Sequence, residues 1–283
     1  MKMLIACKPS SHAALAVQYA FLLAKQTRAD LAFIHVIRRP DERESGNRFL
    51  KEVKAEAKKL GVDSEQLLRV GYAGEQIIHL AFEGEFDLIV LGEGSKESLL
   101  QRQIAPTNEK VVVNAPCPVL IVKGAAGSAE SFLMLHSGQE GLGTIQRFLR
   151  HAGKLIRKKS KVTLLHVMSQ IGASYRVEDW ELRAEAKELI KAKTLEGSWL
   201  KEGMEVVEHA RKVKVVPKIR HGLVIDEILK EVEQGDYDIV VLGSHRKGGW
   251  TEFLVDNIAK QVISRVSKPV LIVHGEPDPK SEW

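Results

Sequence analysis

The sequence predicts an α/β protein built as two tandem, doubly wound, five-stranded, mostly parallel sheets. Three observations carry that expectation. The chain repeats itself: the run from Gly84 through Asp87 to Gly92 has a twin from Gly235 through Asp238 to Gly243, and Pro118–Val122 has one in Pro269–Val273, each displaced by 151 residues. Apolar segments alternate with long helical patterns, the signature of βαβ units. The apolar segments are continuous Val/Ile/Leu runs, so their strands are covered on both faces.

The first copy opens on a strand at Leu4–Cys7, and the spacing then predicts a helix over Ser11–Thr27. A second strand ends in His35-Val36, and a charged helix follows over 47–60. A third strand ends near Gly71, a short helix covers 75–82, and Asp87 opens the fourth strand. A helix over 102–113 and the strand ending at Val122 complete the copy.

The second copy runs in the same order. Its strand at Phe132–Leu135 precedes a helix over 142–158, and a second strand ends in His166-Val167. A long helix over 177–201 leads to a strand ending near Gly222. A short helix over 225–233, the strand opened by Asp238, a helix over 253–266 and the strand ending at Val273 follow. The His-Val pairs are offset by only 131 residues, so the second copy carries a twenty-residue insertion between its second and third strands. The insertion helix, with Trp180, Leu189 and Leu195, is expected to cover its own domain or the neighbour. A partner or lipid groove between Trp180 and Trp199 is the alternative.

The division that follows is a first domain over 1–123, a small flexible linker over 124–130, a second domain over 131–275 and a C-terminal tail over 276–283.

Composition narrows the classes. Apolar residues make up 44% and charged residues 28%, as in soluble globular proteins, and no apolar run reaches the ~18 residues of a membrane span. Met3–Cys7 reads as a strand rather than a secretory leader, which predicts a cytoplasmic protein. A formal charge of +5 suits a small anionic ligand but is not the concentrated basic face of a nucleic-acid binder. Cys7 and Cys117 lie in apolar runs and read as buried core thiols; two cysteines complete neither a disulfide framework nor a zinc site.

The strand ending His-Val, the Gly before a helix, the Asp-Leu-Ile-Val-Leu-Gly strand and Ala115-Pro-Cys-Pro-Val-Leu-Ile-Val122 together closely resemble the universal stress protein family. The resemblance covers nearly the whole chain, twice. It implies the adenine nucleotide alpha hydrolase-like fold, with ATP bound in many members, but not all, between the ends of strands one, two and four. It also implies that the two last strands pair, making an internal pseudo-dimer; both are apolar edges that mutual pairing would protect. A homodimer and protein partners are compatible with it.

The resemblance also implies where a nucleotide would sit. The family loop after strand four reads Gly-x2-Gly-x9-Gly-Ser/Thr, whose glycines admit phosphate to backbone N–H groups at a helix start. In the second copy the first glycine is Gly243, followed by Ser244 and His245; the second glycine is replaced by Arg246, while Gly248 and Gly249 remain. The last pair falls on Asp256-Asn257, where the Asp256 carboxylate either repels phosphate or caps the next helix. In the first copy the second glycine is Ser95 and the last pair is Ala105-Pro106, and proline offers no N–H. The family's acid after strand one is missing twice: the first copy has Lys8-Pro9-Ser10, and the second has Ser137, with Gly138 behind it. Val36 and Val167 match the backbone that contacts adenine. His35 and His166 read as hydrogen-bonded core residues, and His245 as the histidine best placed for a ligand.

Two functions follow as expectations. One is a stress-response binding or regulatory protein that holds ATP or AMP weakly in its second domain, at Ser137, Gly138, Val167, Gly243, Ser244, His245, Arg246, Gly248, Gly249 and Asn257. The other is a nucleotide-independent interaction or apolar-ligand-binding protein. No Walker A loop, Gly-x-Ser-x-Gly elbow or metal-ligand spacing is present, so a weak ATPase is the most that enzymatic readings allow.

Overall fold

The computed structural model describes residues 1–94, 106–124, 127–169, 178–244 and 257–274. In the first half, β1 (Lys2–Ala6), α1 (Ser11–Thr27), β2 (Asp30–Ile37), α2 (Arg43–Lys59), β3 (Ser64–Val70), α3 (Ala73–Glu83), β4 (Leu88–Gly92), α4 (Pro106–Asn114) and β5 (Val119–Val122) follow in order. The second half repeats them as β6 (Ser131–His136), α5 (Gly141–Ala152), β7 (Lys161–Met168), α6 (Ala186–Ala192), α7 (Leu195–Arg211), β8 (Val215–His221), α8 (Val224–Gln234), β9 (Ile239–Ser244), α9 (Asn257–Arg265) and β10 (Val270–His274).

The strands form one ten-stranded sheet in the order β3-β2-β1-β4-β5-β10-β9-β6-β7-β8. Each half is parallel within itself, and the halves meet where β5 and β10 pair antiparallel, with Leu120 opposite Leu271. The pseudo-dimer is therefore a continuous sheet, and both apolar last strands lose their free edge. The outer edges are β3 and β8, and β8 carries Pro217 beside charged Lys218 and Arg220, which blunts it.

Side chains alternate across the sheet. Met3, Ile5 and Phe33 join Leu50, Phe132, Phe148 and Leu200 in the core beneath α1, α2, α5 and α7. Leu4 and Ile34 join Ile77, Val112, Leu133, Ile228 and Val262 in the core beneath α3, α4, α8 and α9. Both cores run through both halves. Each fully buried side chain of this size contributes about 1.5–3 kcal/mol, which makes the two halves one packing problem.

Local chemistry explains the helix ends. Ser10 is extended at φ −154° and its Oγ accepts from the Ala13 N–H at 3.3 Å, starting α1; Arg28, left-handed at φ 55°, ends it. The helix expected over 177–201 is instead two. Lys193 turns left-handed at φ 58°, and Thr194 caps a new helix through a 3.1 Å bond from the Gly197 N–H. Gly197 then lies so close to the Leu189 carbonyl that a Cβ would be 2.2 Å from its oxygen. The helix expected over 142–158 stops at Ala152 and tightens into a 3-10 turn at Gly153–Leu155, because Leu155 and Ile156 turn into the core. Ahead of β6, Ala129 is fully buried, and Tyr19 Oη donates to the Ser128 carbonyl at 3.0 Å.

Cys7 and Cys117 are buried and unbridged, and burial pushes both thiols up to about 12. Among the described residues, no helix is long and apolar enough to cross a membrane. The tail over 276–283 lies outside the described residues.

Candidate functional site

The parallel register brings the carboxyl ends of β6, β7 and β9 together, with β6 in the middle. Ser137 and Gly138 follow β6, Val167 lies near the end of β7, and Gly243 and Ser244 close β9. These five expected site residues therefore share one edge of the sheet, at the strand-order reversal where α/β folds bind ligands. Asn257 opens α9. His245, Arg246, Gly248 and Gly249 lie outside the described residues, as do Asp256, Ser95 and Ala105.

The surroundings of each residue limit what it can do. Gly243 is pressed by α5: a Cβ there would lie 2.5 Å from Thr144 Oγ1. Gly92 meets the same limit in the first half, with a Cβ 2.4 Å from the His12 carbonyl oxygen. The first glycine of the loop is thus required by helix-on-strand packing whether or not phosphate binds. Ser244 is buried, and its Oγ lies 3.0 Å from His274 Nδ1, so its hydroxyl is engaged with β10. Ser137 is exposed, and Gly138 behind it is left-handed at φ 71°.

The helix α7, the counterpart of α2, closes over this edge. The Trp199 ring would lie 3.2 Å from a Cβ at Gly138 and packs edge-on to the His166 ring at 6.1 Å between centroids. His166 Nδ1 lies 2.9 Å from the His136 carbonyl oxygen, which fixes its ring as the sequence suggested for a core histidine. Leu189 of α6 packs on Met168 beyond the end of β7.

His136, the last residue of β6, was not among the expected residues. Its ring is buried, and neither ring nitrogen has a hydrogen-bond partner among the described residues. Burial, with a smaller contribution from His166, pushes it down to about 4, so it is neutral at pH 7. Two glycines make its room: a Cβ at Gly141 would lie 2.7 Å from the ring, and one at Gly203 would lie 3.4 Å away.

The first half has the same frame with different occupants. His35 Nδ1 lies 2.9 Å from the Cys7 carbonyl oxygen, and Phe49 packs edge-on to His35 at 5.0 Å, in the role Trp199 plays against His166. Burial patterns agree: Leu50, Val53 and Ala57 in α2 match Leu200, Gly203 and Val207 in α7. After β4, Glu93 is drawn away into an ion pair, 3.1 Å from Lys123 Nζ. Glu93 and Lys123 stand at the positions of Ser244 and His274, a correspondence visible in the 151-residue repeat.

Residues 1–123 and 141–274 match the family model described as the universal stress protein family. A universal stress protein of Mycolicibacterium smegmatis is 25% identical over 189 residues, 66% of this chain and 61% of that relative's own length. The universal stress protein MJ0577 of Methanocaldococcus jannaschii is 29% identical over 131 residues, 41% of this chain and 78% of its own. Among solved structures, a universal stress protein from Archaeoglobus fulgidus has a TM-score of 0.72 at 17% identity, covering 96% of this chain and 98% of that one. A functionally unknown protein, PA1789 from Pseudomonas aeruginosa, has a TM-score of 0.70 at 19% identity, covering 97% and 92%.

Proposed function

Because the chain belongs to the universal stress protein family, we propose that it is a cytoplasmic stress-response binding protein whose second half takes an adenine nucleotide weakly at the carboxyl edge of β6, β7 and β9. One observation carries this reading: Ser137, Gly138, Val167 and Gly243 converge around the end of the central strand β6. There an exposed hydroxyl, a strand end and a glycine can meet an adenosine. Weakness follows from the same residues. Ser137 brings no carboxylate to the base or ribose, the Ser244 hydroxyl is engaged by His274, and Trp199 must yield some of its contact with Gly138.

Thermal-shift titration with ATP, ADP and AMP, with and without magnesium, tests it. A ligand at a hundred times its dissociation constant adds about 2.7 kcal/mol of stability. No shift at millimolar nucleotide would overturn the reading.

A second reading, a nucleotide-independent interaction protein, is favoured by the first half. There the loop after β4 begins with Glu93, a carboxylate that repels phosphate and is already committed to Lys123. Under it the halves serve as a fixed pseudo-dimer, and nucleotides leave the melting temperature unchanged.

A further inference from the structure

We propose that the first half carries a separate binding site, a cleft between α1 and α2 that takes a small organic anion with an apolar body, such as a medium-chain carboxylate. The cleft has a volume of about 310 Å³, at the lower end of the ~300–1,000 Å³ of small-molecule pockets. Val17 and Val53 form its buried floor, and the half-buried Phe49 ring forms a wall. This apolar surface suits an alkyl or aryl body.

Charge orients the occupant. Lys8 stands on the rim where β1 turns into α1, exposed and without an ion pair among the described residues. The first turn of α1 holds no acidic residue, so the partial positive charge of that helix end adds to the Lys8 field. Glu56 closes the other end from α2, two turns after Phe49. An anionic head is drawn to Lys8 and repelled from Glu56, which leaves the apolar body on Phe49 and the two valines. A polyphosphate fits poorly, because Lys8 is the one cation among the described residues of the lining.

The cleft shares with the carboxyl edge only the turn after β1, where Lys8 and Pro9 stand in place of Ser137 and Gly138; neither the end of β2 nor β4 lines it, and it runs away from that edge along α1 and α2. In the second half the larger Trp199 holds the position of Phe49 and reaches across to Gly138.

Calorimetric titration of the full chain with octanoate, beside 1-octanol and octylamine, tests the proposal. The expected result is saturable octanoate binding, with octanol weaker and octylamine weaker still. Lys8→Gln should weaken octanoate roughly tenfold, the worth of one charged hydrogen bond, and leave octanol unchanged. Ala14 is exposed on α1 and lines the cleft, so Ala14→Phe should fill it and remove binding with the melting temperature preserved. The proposal is overturned by absence of saturable octanoate binding, by unchanged affinity in Lys8→Gln, by retained binding in a folded Ala14→Phe, or by displacement of octanoate by ATP.

Discussion

Lys123 Nζ lies 3.1 Å from Glu93 Oε1, and the same ammonium donates to the main-chain carbonyls of Ile263 and, at 3.1 Å, Val266, at the end of α9. Its three protons are thereby used, with two acceptors in the opposite half of the molecule. The side chain is 4% exposed. Burial lowers its pKa, and Glu93 works against that shift. At the matching position of the second half, His274 Nδ1 lies 3.0 Å from the Ser244 hydroxyl. An ion pair and a histidine–serine pair thus sit at equivalent places beside the β5–β10 junction.

Lys123→Met should therefore destabilise the whole chain rather than one half. It strands the Glu93 carboxylate and two helix-end carbonyls, and removing one partner of a buried pair costs about 3–5 kcal/mol. Glu93→Gln keeps a hydrogen-bond acceptor and should cost less. Urea unfolding followed by circular dichroism measures both; a Lys123→Met midpoint equal to wild type would refute the cross-half role.

The second half holds a buried ionic cluster where the first is largely apolar, keeping only Arg69 at the place of Arg220, paired with Glu83 at 3.5 Å. Glu231 is fully buried and accepts from Lys218 at 2.8 Å, Arg220 at 2.6 Å and Tyr237 Oη at 2.6 Å. The matching residues of the first half include Leu67, Leu80 and Phe86. Glu231→Ala should cost about 1.5–3 kcal/mol by removing the shared acceptor of Lys218, Arg220 and Tyr237, while Arg220 keeps Glu227 at 3.1 Å. Replacing the cluster together, with Lys218→Leu, Glu231→Leu and Tyr237→Phe, should recover most of that loss, because well-packed apolar groups match a buried ion pair. Burial alone would raise the Glu231 pKa, but bonds from Lys218, Tyr237 and Arg220 lower it on balance. Its stabilisation is then complete above the ordinary carboxylate value and fades as pH falls through the lowered one. Wild type should show this acid loss, and the triple variant should show less of it.

A different loss should appear at milder acidity. His136 titrates at about 4 in the folded chain against an ordinary histidine value of 6.5, so between those values the unfolded chain binds more protons and stability falls as pH drops. The full difference is about 3 kcal/mol. Burial lowers His166 as well, adding in the same direction. His136→Leu should flatten the stability profile from about pH 6.5 to about 4 while leaving the more acidic arm set by Glu231. Chemical denaturation at a series of pH values separates the two.

How much of this was legible in the sequence depends on how far apart the deciding residues stand. The bounds of α1 were readable because Ser10 caps it and its apolar spacing is unbroken. The break before α7 was not, since Lys193 is a non-glycine residue in a left-handed turn and Thr194 caps from inside an apolar-patterned run. At the candidate site, Gly243 was visible as a glycine, but its reason, Thr144, lies about a hundred residues upstream. His136 was hidden for the same cause: a histidine ending an apolar strand acquires a site of its own only once Gly203 of α7, where α2 has Val53, makes room for its ring.

The closure of the second half can be tested at Gly138. Its φ of 71° disfavours any side chain, and a Cβ there would meet the Trp199 ring at 3.2 Å. Gly138→Ala should cost about 1–2 kcal/mol, part backbone strain and part contact. The two parts separate in a double-mutant cycle with Trp199→Phe, which imitates Phe49 of the first half and removes the contact but not the strain. The expected coupling between the two substitutions is roughly 0.5–1 kcal/mol, within the range of touching residues. Additive effects in urea unfolding would mean that Trp199 does not bear on the turn after β6.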